Sequence, residues 1–169
     1  MRSRCNNGIS PRSLNPMKRI EVKLALPIVA PLLDVIRELA DGLKKNLAAP
    51  LALTDLDPEF ADAWTGELLS AQNDDVHALL GLFDDEFFRE GVVAFDEDNA
   101  ESIVRACAAV RLRLRERYLK PLGDESLETG DVDMTTLDEP LRKAFTCYLF
   151  LATVQELIIQ HLDSSILES

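Results

Sequence analysis

A chain of 169 residues with 47% hydrophobic side chains can bury one sizeable core. Its formal net charge is −12, and all of that excess lies beyond the first 19 residues: these hold five basic side chains and no acid, leaving 13 basic and 30 acidic side chains in the remainder. A body this acidic repels phosphate backbones and anionic lipid surfaces, which argues against nucleic-acid and membrane partners.

Residues 1–16, MRSRCNNGISPRSLNP, lack the apolar centre of a secretory signal. Residues 1–19 read as a disordered basic tail or an over-long gene start with the true start at Met17; an Arg- and Ser-bearing transit peptide is the alternative. Three cysteines without close spacing are not a disulfide framework. Cys107 and Cys147 fall inside apolar helical runs, where a free thiol serves as a small hydrophobe. Cytoplasmic localisation follows.

Residues 20–26, IEVKLAL, alternate apolar and polar side chains with the period of a half-buried strand. The segment GVVAF at 91–95 is its natural partner in a two-stranded ribbon. Pro27 and Pro31 then open a helix with one stripe, Leu32, Leu33, Ile36, Leu39, Ala40 and Leu43, reaching about residue 47. Residues 48–57 are a linker broken by Pro50. Asp57-Pro58-Glu59 is a helix start: an Asp cap, Pro at the first position, an acid in the first turn. That helix runs to about residue 82, with Gly66 read as allowing a close helix contact. Residues 84–88 continue it or form a separate turn ended by Gly91.

Asp96 is read as the cap of a helix over about 97–120 that Pro121 and Gly123 end, and the acidic residues 123–136 as an exposed loop. Asp138 and Pro140 open a last helix running to about residue 162. Its apolar residues cover nearly the whole circumference, which predicts burial on all sides. Helices 97–120 and 139–162 should therefore pack together at the centre. The fold class is mainly α: a single helical bundle of four principal helices spanning residues 20–163, with a short N-terminal strand or two-stranded ribbon, and residues 164–169 as a tail.

The helix at 97–120 carries five arginines. At about 100° per residue, Ile103, Cys107, Val110, Leu114 and Tyr118 share one face and Val104, Ala108, Leu112 and Leu119 a second. Arg111 and Arg115 point between those faces, Arg105 and Arg113 point to solvent, and Arg117 sits at the rim. A buried guanidinium requires acceptors. On the last helix, Gln155 falls among apolar residues and Glu156 at the edge of a polar stripe. Arg111 should therefore pair with Gln155, Glu156 or both. Arg111, Arg115, Gln155 and Glu156 form either a polar network that fixes helix register or an anion pocket, and the network reading is preferred.

Other chemistry does not converge. Asp74-x-x-His77 has the spacing of half a di-metal carboxylate site, but its second Glu-x-x-His is missing. The acids at 84–98 and Asp131-x-Asp133 lack the Gly and terminal Glu of a calcium loop. Phosphate-loop, dinucleotide and nucleophile-elbow motifs are absent. No metal and no cofactor is expected.

Two segments resemble a known family. Arg105-Ala106 followed by Val110-Arg111-Leu112-x-Leu114 is similar to that family's Arg-Ala-Leu-Asn-Asp-Leu-Arg-Leu-x-Leu segment. Tyr148-x-x-Leu151-x-x-Val154-Gln155-Glu156-x-Ile158 is similar to its closing Tyr…Leu…Leu-Gln-Glu-x-Leu segment. The family is a bacterial one of uncharacterised function, domain of unknown function number two thousand and seventeen. Ala108-Ala109 stands where the family has Asn-Asp, and Arg115 where it has Gly, so no role of those residues carries over. The resemblance covers about residues 20–162 and implies no activity. It implies a link to regulated proteolysis, since in actinobacteria the family's gene tends to neighbour that of a Clp-protease adaptor. The leading expectation is a non-catalytic cytoplasmic interaction or regulatory protein with a protein partner still to be identified, or a homodimer. The alternative is an enzyme or anionic small-ligand binder with a pocket around Arg111, Arg115 and Glu156.

Overall fold

The computed structural model describes residues 18–49 and 57–162; residues 1–17 of the basic tail, the Pro50 break and the C-terminal tail lie outside them, while Arg19, read as the end of that tail, opens the first strand. The described residues are mainly helical. Strand β1 (Arg19–Lys23) leads into helix α1 (Leu26–Leu43), then α2 (Pro58–Leu80), the short α3 (Asp85–Glu90), strand β2 (Val92–Asp96) and α4 (Ala100–Arg117). A 3-10 turn, the short α5 (Asp124–Thr129), a second 3-10 turn at Met134–Thr136 and the long α6 (Glu139–His161) complete the order.

The ribbon forms as its alternation predicts. β1 and β2 pair antiparallel, with Ile20 opposite Phe95 and Val22 opposite Val93. Phe95 and Val93 are buried and Ile20 and Val22 pack against the core, so this face of the ribbon supplies what an isolated pair would lack. Gly91 has φ +73° and sits where an added Cβ would lie 2.8 Å from the Leu24 carbonyl oxygen. Its own carbonyl accepts from the Leu24 amide at 2.7 Å, joining the ends of the ribbon. Only glycine meets both demands.

α1 buries Val29, Leu32, Leu33, Ile36, Leu39, Ala40 and Leu43, the i, i+3, i+4 stripe of an amphipathic helix. It stops at Leu43, four residues short of the expected end. The cause lies in α2: Gln72 Nε2 donates to the carbonyls of Leu43 at 2.8 Å and Asn46 at 3.0 Å, while its Oε1 accepts from the Ala48 amide at 2.9 Å. One side chain thus takes up backbone groups orphaned by the end of α1. α2 starts as read, with the Asp57 carboxylate accepting from the Glu59 amide and Pro58 at its first position. The segment after it is a separate helix, α3, capped by Asp84, which accepts from the Phe87 amide at 3.1 Å.

Several sequence expectations are corrected. α4 begins at Ala100, not beside Asp96. The Asp96 carboxylate instead accepts from the amides of Asp98 and Asn99, and Asn99 Oδ1 accepts from the Asp96 amide, closing a tight turn before the helix. Residues 123–136, expected as an exposed loop, are exposed or half-buried except for Leu127, but contain α5 and a 3-10 turn. A Cβ on Gly66 would meet nothing within 4 Å, so that glycine makes no close helix contact. α6 is not covered all round: Leu149 is 37% and Ile159 47% exposed. α4 takes the central place, packing against α2, α6 and α1, and α6 packs against α4 and α1. Phe87, Phe95 and Phe145 are fully buried in one continuous core with residues from every long helix and the ribbon.

Candidate functional site

α4 presents its arginines to three neighbours. Arg111 lies on the side facing α6. Its Nη1 donates to Gln155 Oε1 at 2.9 Å, and Gln155 Nε2 donates onward to the Val104 carbonyl on α4 at 3.0 Å. The guanidinium carbon stands 4.3 Å from the centroid of the Tyr148 ring, within reach of the ring's negative face. Arg111 Nε is buried with no hydrogen-bond partner. Arg111 and Gln155 therefore meet as their helical facing predicts, with the aromatic ring as the third member.

Arg115 and Glu156 take other partners. Arg115 Nη2 pairs with Asp124 Oδ1 at 2.6 Å. That hydrogen bond is the main reason its pKa is raised, with the Tyr148 hydroxyl adding to it. Glu156 is exposed and accepts from Gln160 Nε2 at 2.9 Å, one turn along its own helix. Arg115 shares Tyr148 with Arg111, while Glu156 takes its partner on its own helix.

The strongest ion pair was not legible as such. Arg105, expected in solvent, turns across α2 and binds Asp75 with two parallel hydrogen bonds, Nε to Oδ2 at 2.9 Å and Nη2 to Oδ1 at 3.0 Å. Its Nη1 also holds Glu101. Asp75 is 8% exposed, while the Arg105 side chain remains 52% exposed. The hydrogen bond from Asp75 is the largest cause of the raised Arg105 pKa. A signal did exist: Asp75 shares the α2 register of the buried Val76 and Leu79, and a carboxylate on a buried stripe implies a cation opposite. Arg113 also departs from its expected outward course. Its side chain is 15% exposed, its Nε is buried without a partner, and its ion pair with Glu116 is long at 3.7 Å. At the end of α4, the Tyr118 hydroxyl donates to Glu38 Oε1 on α1 at 2.6 Å, which raises the tyrosine pKa.

Cys107 lies on α4 and Cys147 on α6, both buried and both free. Burial pushes each thiol up to about 12; the Arg111 charge pulls Cys107 down, but less than burial raises it. Protonated buried thiols are poor nucleophiles. Among the described residues, no group of three or more His, Cys, Asp or Glu is placed to hold a metal ion. Nor is any described helix long and apolar enough to cross a membrane.

The clefts on the described surface include three, none of them lined by Arg111, Arg115, Gln155 or Glu156. One of about 360 Å³ lies beside the ribbon, among Arg19, Glu21, His77, Asp84, Glu86 and Asp96. One of about 440 Å³ lies between α1 and α2 near Lys44 and His77. The third, about 410 Å³, lies between α2 and α4, with Leu68, Ala71, Ala108 and Leu112 on its walls and the Asp75–Arg105 pair at one end. Leu112 in its wall is 44% exposed, and on α2 Phe60 is 56% and Trp64 43% exposed.

The fold and contacts define a mainly helical protein with a small ribbon, in which Arg105, Arg111 and Arg115 each hold a side-chain partner. Residues 31–162 match the family described as a domain of unknown function, DUF2017, and the chain belongs to that family. The match includes Arg111, Gln155 and Glu156, the positions on which the resemblance rested. No curated protein matches the chain, and no solved structure does.

Proposed function

We propose that the protein is a non-catalytic interaction or regulatory protein, working in the cytoplasm, that engages a protein partner through the surface shared by α2 and α4. One observation supports this reading above the others: Leu112 is exposed on the wall of an apolar cleft between α2 and α4, and Phe60 and Trp64 are exposed on the first turns of α2. Large apolar side chains clustered at a surface mark contact sites more often than scattered ones do. The cytoplasmic part rests on the two buried free thiols. A role in regulated proteolysis rests on the gene neighbourhood that the family resemblance implies.

The alternative, an anionic ligand held by Arg111, Arg115 and Glu156, has less support, because these side chains meet other partners and line none of the three clefts. Affinity capture with the intact chain separates the two. The interaction reading expects a partner that is lost from the Phe60→Ser, Leu112→Ser double variant. A thermal-shift screen of anionic metabolites should leave the melting temperature unchanged. A clear shift by one metabolite, with no partner captured, overturns the proposal.

A further inference from the structure

We infer that the side-chain amides of Gln72 and Asn73 hold α1 one turn short, and that this stop shapes the cleft between α2 and α4: without them α1 runs on to Ala48 and withdraws Leu47 and Ala48 from the cleft wall. This holds whatever the cleft receives. In an α-helix each N–H donates to the carbonyl four residues back. One more turn of α1 would therefore set the amides of Asn46, Leu47 and Ala48 on the carbonyls of Gly42, Leu43 and Lys44. All three carbonyls are already taken by side-chain amides. Asn46 Nδ2 donates to Gly42 at 3.3 Å, Gln72 Nε2 to Leu43 at 2.8 Å and Asn73 Nδ2 to Lys44 at 3.3 Å. The Ala48 amide, which would close the turn, donates instead to Gln72 Oε1 at 2.9 Å.

The local sequence favours the longer helix. Lys44, just past the end of α1, keeps helical angles, φ −61° and ψ −30°. Lys44, Lys45, Leu47 and Ala48 are good helix formers, and only Asn46 is a poorer one. The two lysines would lie in the last turn, where the helix dipole favours them. Leu47 stands four residues beyond Leu43 and continues the stripe of Ile36, Leu39, Ala40 and Leu43. Pro50 sets the limit, since it biases Ala49 away from helical angles. Exchanging the partners orphans none of the three carbonyls. Gln72 and Asn73 are half-buried, so their freed amides reach water. The consequence falls on the cleft, which Leu47, Ala48, Ala49 and Gln72 all line. A helical Ala48 leaves Gln72 for Lys44 and stands about 7.5 Å along the axis beyond Leu43. The cleft then loses that side of its wall, so Gln72 ties the length of α1 to the shape of the cleft.

The test compares the full chain with its Gln72→Met, Asn73→Leu variant by backbone NMR and amide hydrogen exchange. Removing the two amides should turn the Cα shifts of residues 44–47 helical and slow exchange of the Leu47 amide at least tenfold. The NOE between the Ala48 amide and the side chain at position 72 should vanish. Unchanged shifts overturn the inference. So does fraying of α1 back from Leu43, since Gln72 and Asn73 would then support the end of the helix and not stop it. A longer α1 that keeps the NOE between Ala48 and position 72 overturns the link to the cleft. If the double variant fails to fold, Gln72→Ala alone, which replaces the clasp with a good helix former on α2, should give the same changes at smaller amplitude. Unchanged shifts in that variant overturn the inference. So does its failure to fold, because the amide would then be required for the fold itself.

Discussion

Two arginines six residues apart on one helix meet opposite solutions. Arg105 sits at the edge of α4, half exposed, and takes a buried carboxylate, Asp75, in a two-bond clasp. Arg111 sits between α4 and α6, and its partners are a neutral amide and an aromatic ring. The difference shows that depth alone does not select a carboxylate. At the edge, water still solvates one side of the guanidinium, so only Asp75 is strongly desolvated and the pair offsets that cost. Between the helices, a carboxylate would add a second desolvated charge, and Gln155 supplies an acceptor without one.

The comparison can be broken at either end. Arg105→Ala should cost the most, about 2–3 kcal/mol in denaturant unfolding, because it strands the carboxylate of Asp75; the upper range for a buried pair is reduced by the exposure of Arg105. Arg111→Leu should cost less, about 1–2 kcal/mol, for a neutral hydrogen bond and a cation–π contact. Raising salt should shrink the first loss and leave the second nearly unchanged. A larger loss at Arg111 than at Arg105 would reverse the ranking on which the contrast depends.

The buried thiols sharpen the same contrast, since Cys107 feels the Arg111 charge and reports how dry that flank is. Burial raises Cys107 and Cys147 from 9.0 to about 12, so the folded state binds protons that the unfolded chain releases. Their contribution is complete below pH 9 and is lost as pH rises toward 12. Unfolding free energy should fall over that range, and the fall should flatten when both are replaced by Ala. Smaller still, Gly66→Ala should stabilise the chain by about 0.5–1 kcal/mol, since the added methyl meets nothing and the helix gains propensity. Glu156→Ala should change stability by under about 0.5 kcal/mol, measured the same way, because its contact with Gln160 is exposed.

Facing analysis finds Arg111 and Gln155 because both lie on apolar arcs of long helices, where rotation per residue is nearly fixed. It misses Arg105 because a long side chain can leave the arc of its own Cα and reach a neighbouring helix. Arg113 is missed for the same reason. Asp96 misleads as a cap because its carboxylate, four residues before the helix begins, closes a turn with Asn99. Residues 123–136 look like a loop, being rich in acids and glycine, yet Leu127 finds a place in the core and a turn of helix forms around it.

By itself the sequence determined the elements whose signals are local: the alternation of β1, the stripe of α1, the Asp57-Pro58 start, the Asp138 cap and the glycine that closes α3. These depend on side-chain period and on hydrogen bonds spanning two to four residues, which the chain order contains. The end of α1 was decided by Gln72, almost thirty residues away. The partner of Arg105 came from α2, across thirty residues of chain. Such outcomes depend on distances between elements remote in the chain, and only the packed helices set those distances.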